Sequence, residues 1–556
     1  LACFISIANQ KKNAMKNLLK TIALATLVVC STGCETDEME FLDNPNEEST
    51  DISDADLITS NIQRTFNDVI GDYDYPSRRI IRQAYQFSTY LGHITDDNHD
   101  NIWSNTYQLF SNVDELQDID EATASEGGIP YHVGMAQVLE AYSYMLLVDY
   151  FGEVPFSQAL LPDEFPNPVL DAGASIYAAQ LTLLDEAIAN LNEGDTNQAL
   201  VPSDLYYGTF TSANWIALAN TLKIRAYLNV GNAVGINAAL TGNIIDQNNE
   251  DFQFEYPAST NPNPDSAHPF FNHSYGNGGV GIYLSNQLYD FMNVGDNEPP
   301  FIETETPKDP RARYYFYRPT GNSPSGIDYP CEGSNIHEYC YVGNGYWGRD
   351  HADDEGLAWI SHLNTAPGLY PGGGAFDANQ FAPTPAILVS AASLAGAGIR
   401  PIYLATFTHF ALAEGALTLG SNGNPRDLLE TGIRKSMAKV SGFATNNGIY
   451  TGGFEMTVND INNYVNAVLN EYDSVNNDGK LAIIAREYFI AAWGNGIEPY
   501  NLYKRTGLPD LQTPIIPAGD FPRSFLYPES VVNSNPNIDQ REVTTKVFWD
   551  TTGYLD

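Results

Sequence analysis

The chain has 556 residues, with 27 Lys and Arg against 69 Asp and Glu and a formal net charge of −42. That balance excludes nucleic acid as the natural ligand, because neutralising phosphates takes clustered Lys and Arg. It also argues against a strongly anionic polysaccharide unless a local basic pocket overrides the global field. A hydrophobic content of 43% with 12% aromatic residues is that of a globular chain with a large core.

Residues 1–14 carry no structural pattern and read as sequence upstream of a start at Met15. Residues 15–33 have the layout of an export signal: Lys16 and Lys20, an apolar run from Thr21 to Cys30, then Ser31-Thr32-Gly33. The run is far short of the roughly 20 residues needed to span a bilayer. Gly33-Cys34 resembles a bacterial lipobox, with Ser31 where the common pattern has Leu, so Cys34 is expected to carry lipid. Plain secretory cleavage is the alternative. Several acyl chains at ~0.8 kcal/mol per buried methylene would anchor the chain firmly. Residues 34–52 form an acidic tether, with Asn44-Pro45-Asn46 breaking any helix, and 53–556 are expected to form a single domain. Processing would remove Cys3 and Cys30. That leaves Cys331 and Cys340 in a polar loop, expected to form a disulfide in an exported chain. His337 and Glu338 lie between them, but the spacing fits no standard zinc site.

Helical periodicity begins after the tether. Ile80, Ile81, Ala84, Phe87, Ser88 and Leu91 follow an amphipathic rhythm, as do Val138, Leu139, Tyr142, Met145 and Leu146 in a helix that must stop near Gly152 and Pro155. Ala178 to Leu191 and Trp215 to Leu228 give further helices. Late in the chain Leu404, Phe407, Ala411 and Glu414 share one helix, another ends at Ser436-Met437, and Leu481 to Ala492 forms a third. Between about 243 and 380, and again over 508–537, Asn, Gly, Pro and Tyr signal turns and irregular loops. No clean 34-residue repeat is visible, but the helix pairs admit a degenerate tetratricopeptide arrangement. A helical frame with long aromatic-rich loops suits recognition.

Catalytic motifs are not supported. His337-Glu338-Tyr339-Cys340-Tyr341 lacks the second His of a zinc peptidase, and no Gly-x-Ser-x-Gly elbow occurs. Gly276 to Gly281 fits neither phosphate-loop spacing and reads as a turn before a helix near Leu284. Asp473 to Gly479 lacks the spacing of a calcium loop and reads as a helix-linking turn. A carboxylate pair for glycoside hydrolysis cannot be picked out of 69 acidic residues.

Several segments resemble one family. Glu140-Ala141-Tyr142-Ser143-Tyr144 with Asp149 to Phe156, and Ser175-Ile176-Tyr177 with Leu184 to Ala187, are similar to consecutive segments of the SusD-like (RagB/SusD) proteins. Asn344 to His351, Gly368 to Gly373, and Tyr503 to Pro509 followed by Arg523, Tyr527-Pro528 and Glu529 resemble one subgroup. The resemblance runs over nearly all of the mature chain. It implies a mostly α fold of tetratricopeptide-like helix pairs with a loop-rich second half. It also implies a lipid-anchored position on the outer face of the outer membrane, above a SusC-like TonB-dependent transporter. Such proteins capture oligosaccharide or polysaccharide without catalysis or cofactor, and a minority serve peptides or other nutrients. A secreted glycoside hydrolase is the rival from another class.

A sugar offers an apolar C–H face and a rim of hydroxyls, so a binder needs flat aromatic rings flanked by Asp, Asn, Gln or Arg. Trp103, with Tyr107 four residues on, stands where the family resemblance implies a stacking Trp; the alternative is that Trp103 packs the helix start into the core. Tyr346 and Trp347, with Arg349, Asp350, Asp353 and Trp359, suit a platform with a polar rim, or else a structural staple. Tyr85 and Tyr90 are weaker candidates on the preceding helix, and Trp215, Trp493 and Trp549 read as packing.

Overall fold

In the computed structural model the described residues are 54–92, 94, 99–197, 199–258, 266–275, 283–294, 307–321, 343–354, 364–387 and 390–552. Internal contacts divide the chain into Leu1–Thr50 and Asp51–Asp556. The export signal, Cys34, the tether, Cys331, Cys340 and Trp359 lie outside the described residues, as do Gly276 to Gly281 and His337 to Tyr341.

Helix α1 (Ala55–Ile80) buries Ile62, Phe66, Val69, Ile70 and Tyr73, a stripe with the helical period of 3.6. It packs on α2 (Asp100–Thr123), which turns Ile102, Leu109, Phe110, Val113 and Leu116 inward. Helix α3 (Pro130–Phe151) starts on a proline, where the missing N–H costs nothing, and stops at Gly152 with φ +78°. Nearly every residue of α3 is buried, because α1, α2 and α4 (Gly173–Asn197) pack around it. The rings of Phe110 and Tyr144 stack 3.8 Å apart between α2 and α3. Helix α5 (Ser212–Asn229), capped by the Thr211 side chain, lies on α4, and α6 (Ala233–Ala239) folds back on α5.

The middle of the chain is irregular, with β1 (Phe252–Glu255), short helices α7 (Pro269–Tyr275), α8 (Asn286–Phe291) and α9 (Ala312–Tyr315), β2 (Phe316–Tyr317), β3 (Ala366–Pro367) and α10 (Thr384–Ile387). Strand β1 pairs antiparallel with β4 (Ile399–Tyr403), Phe252 opposite Tyr403, and β2 pairs with β3. Helices α11 (Ala405–Thr418) and α12 (Pro425–Asn446) then form a hairpin, followed by α13 (Val458–Ser474), α14 (Asn477–Ala491), α15 (Ile497–Thr506) and α16 (Glu529–Ser534). The architecture is mostly α, with helix pairs framing a loop-rich second half, as the sequence implies. Among the described residues no helix is long and apolar enough to cross a membrane.

Two expected elements differ. The helical rhythm from Ile80 to Leu91 does not form a helix: α1 ends at Ile80, and Arg82 and Ser88 take left-handed backbone angles. Tertiary pairing outcompetes the local pattern there, since Tyr85 N donates to Tyr283 O and Gln86 O accepts from Ala352 N. Tyr85 and Tyr90 are therefore buried off any α-helix. Helix α12 also runs past Met437 to Asn446. Trp215, Trp493 and Trp549 are buried, and Asp473 to Gly479 links α13 to α14, with Asp473 paired to Arg426 at 2.8 Å.

Two buried ion networks tie distant parts together. Asp149 of α3 accepts from Arg225 Nη2 at 2.8 Å, Asn501 Nδ2 at 3.0 Å, Trp549 Nε1 at 2.9 Å and the Tyr177 hydroxyl. Arg225 also reaches Glu498 at 2.7 Å, so the network joins α3, α4, α5, α15 and the C-terminal segment. In the second half, Arg311 pairs with Asp309 at 2.5 Å and Glu487 at 3.2 Å and donates to Ser436 Oγ at 3.0 Å. These contacts fix the segment leading into α9 against α12 and α14.

Candidate functional site

The C-terminal half of α1 meets the start of α2 and the start of α7 around a cleft of about 450 Å³. Its walls carry Asp68, Asp72, Tyr75, Arg78, Asn101, Asn105, His273 and Arg400. Helical spacing explains the grouping. Asp68, Asp72 and Tyr75 sit at i, i+4 and i+7 on α1, and Asn101 and Asn105 at i and i+4 on α2.

Tyr75 is 44% exposed, with the Arg79 guanidinium 3.9 Å from its ring centroid and that of Arg78 at 5.4 Å. Cation–π contact steadies such a ring while part of it stays open to solvent. Arg78 is itself buried: Nη1 donates to Asp74 Oδ2 at 2.7 Å, and its guanidinium lies 4.7 Å from the Phe270 centroid. Among the described residues its Nε has no hydrogen-bond partner. A buried donor left without a partner costs about 1–3 kcal/mol. Asp74 in turn accepts from Gly496 N at 2.7 Å. Gly71 has no Cβ to displace Arg400, whose Nη2 would lie 2.7 Å from one, so Arg400 crosses α1 and donates to Asn67.

Burial raises Asp72 to about 6, with Asp68 adding and Arg400 opposing. Burial together with Arg78 and Arg79 lowers the pKa of His273. The Asp72 value has a sign that can be checked. Its folded pKa lies above the ordinary carboxylate value, so the folded state holds the proton more tightly. The stability this confers is complete below about pH 4 and is lost as pH rises through 6. Asp72→Asn should therefore stabilise the protein by about 1–2 kcal/mol at pH 7.5. The gain should shrink as pH falls from 6 towards 4, read as urea midpoints across that range; a gain independent of pH would contradict the assignment.

Trp103 and Tyr107 lie on the same helix but do not line the cleft. Both are half-buried. Trp103 packs 5.3 Å from Tyr107, 5.5 Å from Phe151 and 6.0 Å from Tyr527, centroid to centroid, and the Tyr107 hydroxyl donates to Pro155 O at 2.8 Å. This contact holds the start of α2, and with it Asn101 and Asn105, in place.

The segment from Tyr346 to Asp353 is packed inside the molecule instead of being presented as a platform. Trp347 is 4% exposed; its backbone N–H donates to Thr365 Oγ1 at 2.9 Å, and its backbone carbonyl accepts from the Tyr289 hydroxyl at 3.0 Å. Arg349 is ion-paired with Asp353, and its guanidinium lies 4.9 Å from the Tyr85 ring centroid. Asp350 accepts from Asn286 Nδ2 at 2.9 Å and Gln512 Nε2 at 2.8 Å. A Cβ at Gly348 would fall 2.3 Å from Asn286 Oδ1, so only glycine fits that seam. Tyr346, also buried, forms part of a cavity wall.

A family model for SusD-like proteins, described as starch-binding and associating with the outer membrane, matches residues 45–329, more than half of the chain. The chain belongs to the SusD-like family. Among solved structures, this SusD-like protein is similar to a SusD/RagB family protein from Bacteroides thetaiotaomicron. The TM-score is 0.63 at 17% identity, covering 90% of this chain and 99% of that one. A SusD homologue from Bacteroides fragilis gives 0.61 at 16% identity, covering 89% and 99%. A chitin-binding SusD homologue from Flavobacterium johnsoniae gives 0.59 at 17%, again covering 89% and 99%. At these identities the likeness establishes the SusD-like fold. No curated protein sequence matches the chain.

The sequence points to the start of α2 through Trp103, but carries no comparable signal for Tyr75, Arg78, Asn101 or Asn105. Arg78-Arg79 at the end of a helix reads as a favourable interaction with its dipole, and only folding brings it to Asn101. Among the described residues no group of His, Cys, Asp and Glu is arranged to hold a metal.

Proposed function

We propose that this SusD-like protein is a cell-surface lipoprotein that captures a neutral oligosaccharide or polysaccharide and delivers it, uncut, to a SusC-like TonB-dependent transporter. The observation that carries the reading is the α1–α2 cleft. There the open Tyr75 ring stands on a guanidinium beside the amides of Asn101 and Asn105. A flat ring with convergent donors and acceptors matches the two surfaces of a pyranose. The family's description as starch-binding and outer-membrane associated, and a chitin-binding relative of the same fold, support the ligand class. The net charge of −42 supports a neutral glycan over an anionic one. The lipid on Cys34 and the position outside the outer membrane rest on the lipobox-like Gly33-Cys34.

Tyr75→Ala is expected to weaken glycan binding about tenfold, and Asn101→Ala by about threefold to tenfold, measured by isothermal titration calorimetry. Both side chains are outside the core, so unchanged affinity in both variants would remove the cleft from the binding site.

A further inference from the structure

A second cavity lies elsewhere and shares no lining residue with the α1–α2 cleft. It encloses about 730 Å³ between the segment leading into α9, the turns at 377–381 and 452–455, and the start of α13. Two phenylalanines in its wall are exposed, Phe381 at 42% and Phe454 at 39%. Neither ring is loose. The Arg313 guanidinium lies 4.3 Å from the Phe454 centroid, and that of Arg318 lies 5.6 Å from Phe381 and 4.8 Å from Tyr346.

Those guanidiniums are fixed from behind. Asn379 Oδ1 accepts from Arg313 Nη1 at 3.0 Å and from Arg318 Nη2 at 2.7 Å, bridging the two. Asp377, fully buried, accepts from Arg318 Nε at 2.5 Å and lies 3.8 Å from Arg313 Nη1. The Phe381 ring rests on Gly321, where a Cβ would come within 2.7 Å of Cζ. Asn344, Asn379 and Phe381 all take left-handed backbone angles, with φ of +54°, +60° and +49°. For a phenylalanine this conformation costs about 1–2 kcal/mol. Asparagine adopts such angles readily, whereas a phenylalanine held there with its apolar ring in water marks a surface shaped for something other than stability.

We infer that this cavity is a second glycan-contacting subsite for a neutral sugar chain, in which Phe381 and Phe454 take the apolar faces of separate residues. The inference rests on the glycan-binding reading and adds a site to it. The charge balance sets the ligand class. Among the described residues Lys308, Arg313 and Arg318 are matched by Asp377, Glu455 and Asp460, and Asp309 is consumed by Arg311, so these charges favour neither an anion nor a cation. Arg313 is part-exposed and presents a donor fork beside the Phe454 ring. The rim residue Asn463 offers a further polar group for sugar hydroxyls.

The test titrates maltoheptaose, N-acetylchitohexaose and xylohexaose into the purified full chain. For any of these that binds, Phe381→Ala with Phe454→Ala should weaken binding about tenfold. Because Phe381 has a strained backbone, the second readout is a 4-fluorophenylalanine reporter placed at Phe454, in an exposed turn away from the core. Its fluorine resonance should move on titration, and should still move in a Tyr75→Ala background. A stationary reporter and an unchanged double variant, in a chain that binds glycan, would overturn the second subsite and leave the cleft standing. Failure of the wild-type chain to bind all three would overturn both.

Discussion

Asp149→Ala should destabilise the fold by about 3–5 kcal/mol, the largest effect expected of a single substitution in the helical frame. The carboxylate is fully buried and accepts from Arg225, Asn501, Trp549 and the Tyr177 hydroxyl. Removing it leaves the Arg225 guanidinium buried with Glu498 alone, and strands the donors of Asn501 and Trp549. A buried pair that loses one member costs far more than the intact pair contributes, because the survivor cannot be rehydrated. The contrast is Asp185→Ala, which removes the partner of Lys223 from a carboxylate that is 63% exposed. That change should cost less than about 1 kcal/mol. Urea midpoints of both variants give the comparison directly; equal losses would show that burial does not govern these ion pairs.

The second large effect is expected at Arg311. Its side chain, like those of Asp309 and Glu487, is fully buried. Arg311→Met should again cost about 3–5 kcal/mol, by leaving two carboxylates in an apolar interior. Combining it with Asp309→Leu should recover part of the loss. Glu487 still accepts from the Tyr464 hydroxyl at 3.0 Å and lies 3.4 Å from Arg486 Nη2. A double variant less stable than the single one would contradict this, and would mean that Asp309 acts mainly through its backbone-capping contact to Arg311 N at 2.9 Å. The same substitution should loosen the cavity wall, since Asp309 and Ala312 line it.

The segments that carry the family resemblance converge on the first of these networks. Asp149 belongs to the segment ending in Phe156, Tyr177 to the next, and Lys504 to the run from Tyr503. Lys504 Nζ lies 4.2 Å from the Tyr500 ring centroid and donates to Asp149 O. Arg523 pairs with Asp550 at 2.5 Å, and the Tyr527 hydroxyl donates to Glu153 O at 2.7 Å. The sequence signature is thus largely a signature of how the helix pairs lock to the C-terminal loops. That is why the fold was legible from the sequence while the site was only partly so. The stop of α3 at Gly152 and the course of α4, α5, α11 and α14 follow from local periodicity and caps. The chain from Ile81 to Leu91 does not, because its backbone bonds go to Tyr283 and Ala352, far away in sequence.

The site residues divide in the same way. Trp103 is an aromatic at a helix start, and the cleft lies beside that start, lined by its neighbours Asn101 and Asn105. Tyr346 and Trp347 are flanked by glycines and charges, a pattern shared by exposed platforms and by tight internal seams. The close approach of Gly348 to Asn286 decides for the seam. Phe381 and Phe454 sit in loops without periodicity, and nothing local indicates that the guanidiniums of Arg313 and Arg318 stand behind them.

The central claim is capture without cleavage. The most direct measurement titrates neutral glycans into the full chain by calorimetry and assays the same samples for new reducing ends after prolonged incubation. Saturable binding to a neutral glycan, weakened about tenfold by Tyr75→Ala, with reducing ends at the level of the blank, is the predicted result. Release of reducing sugar, or binding of peptides with no glycan bound, would contradict it.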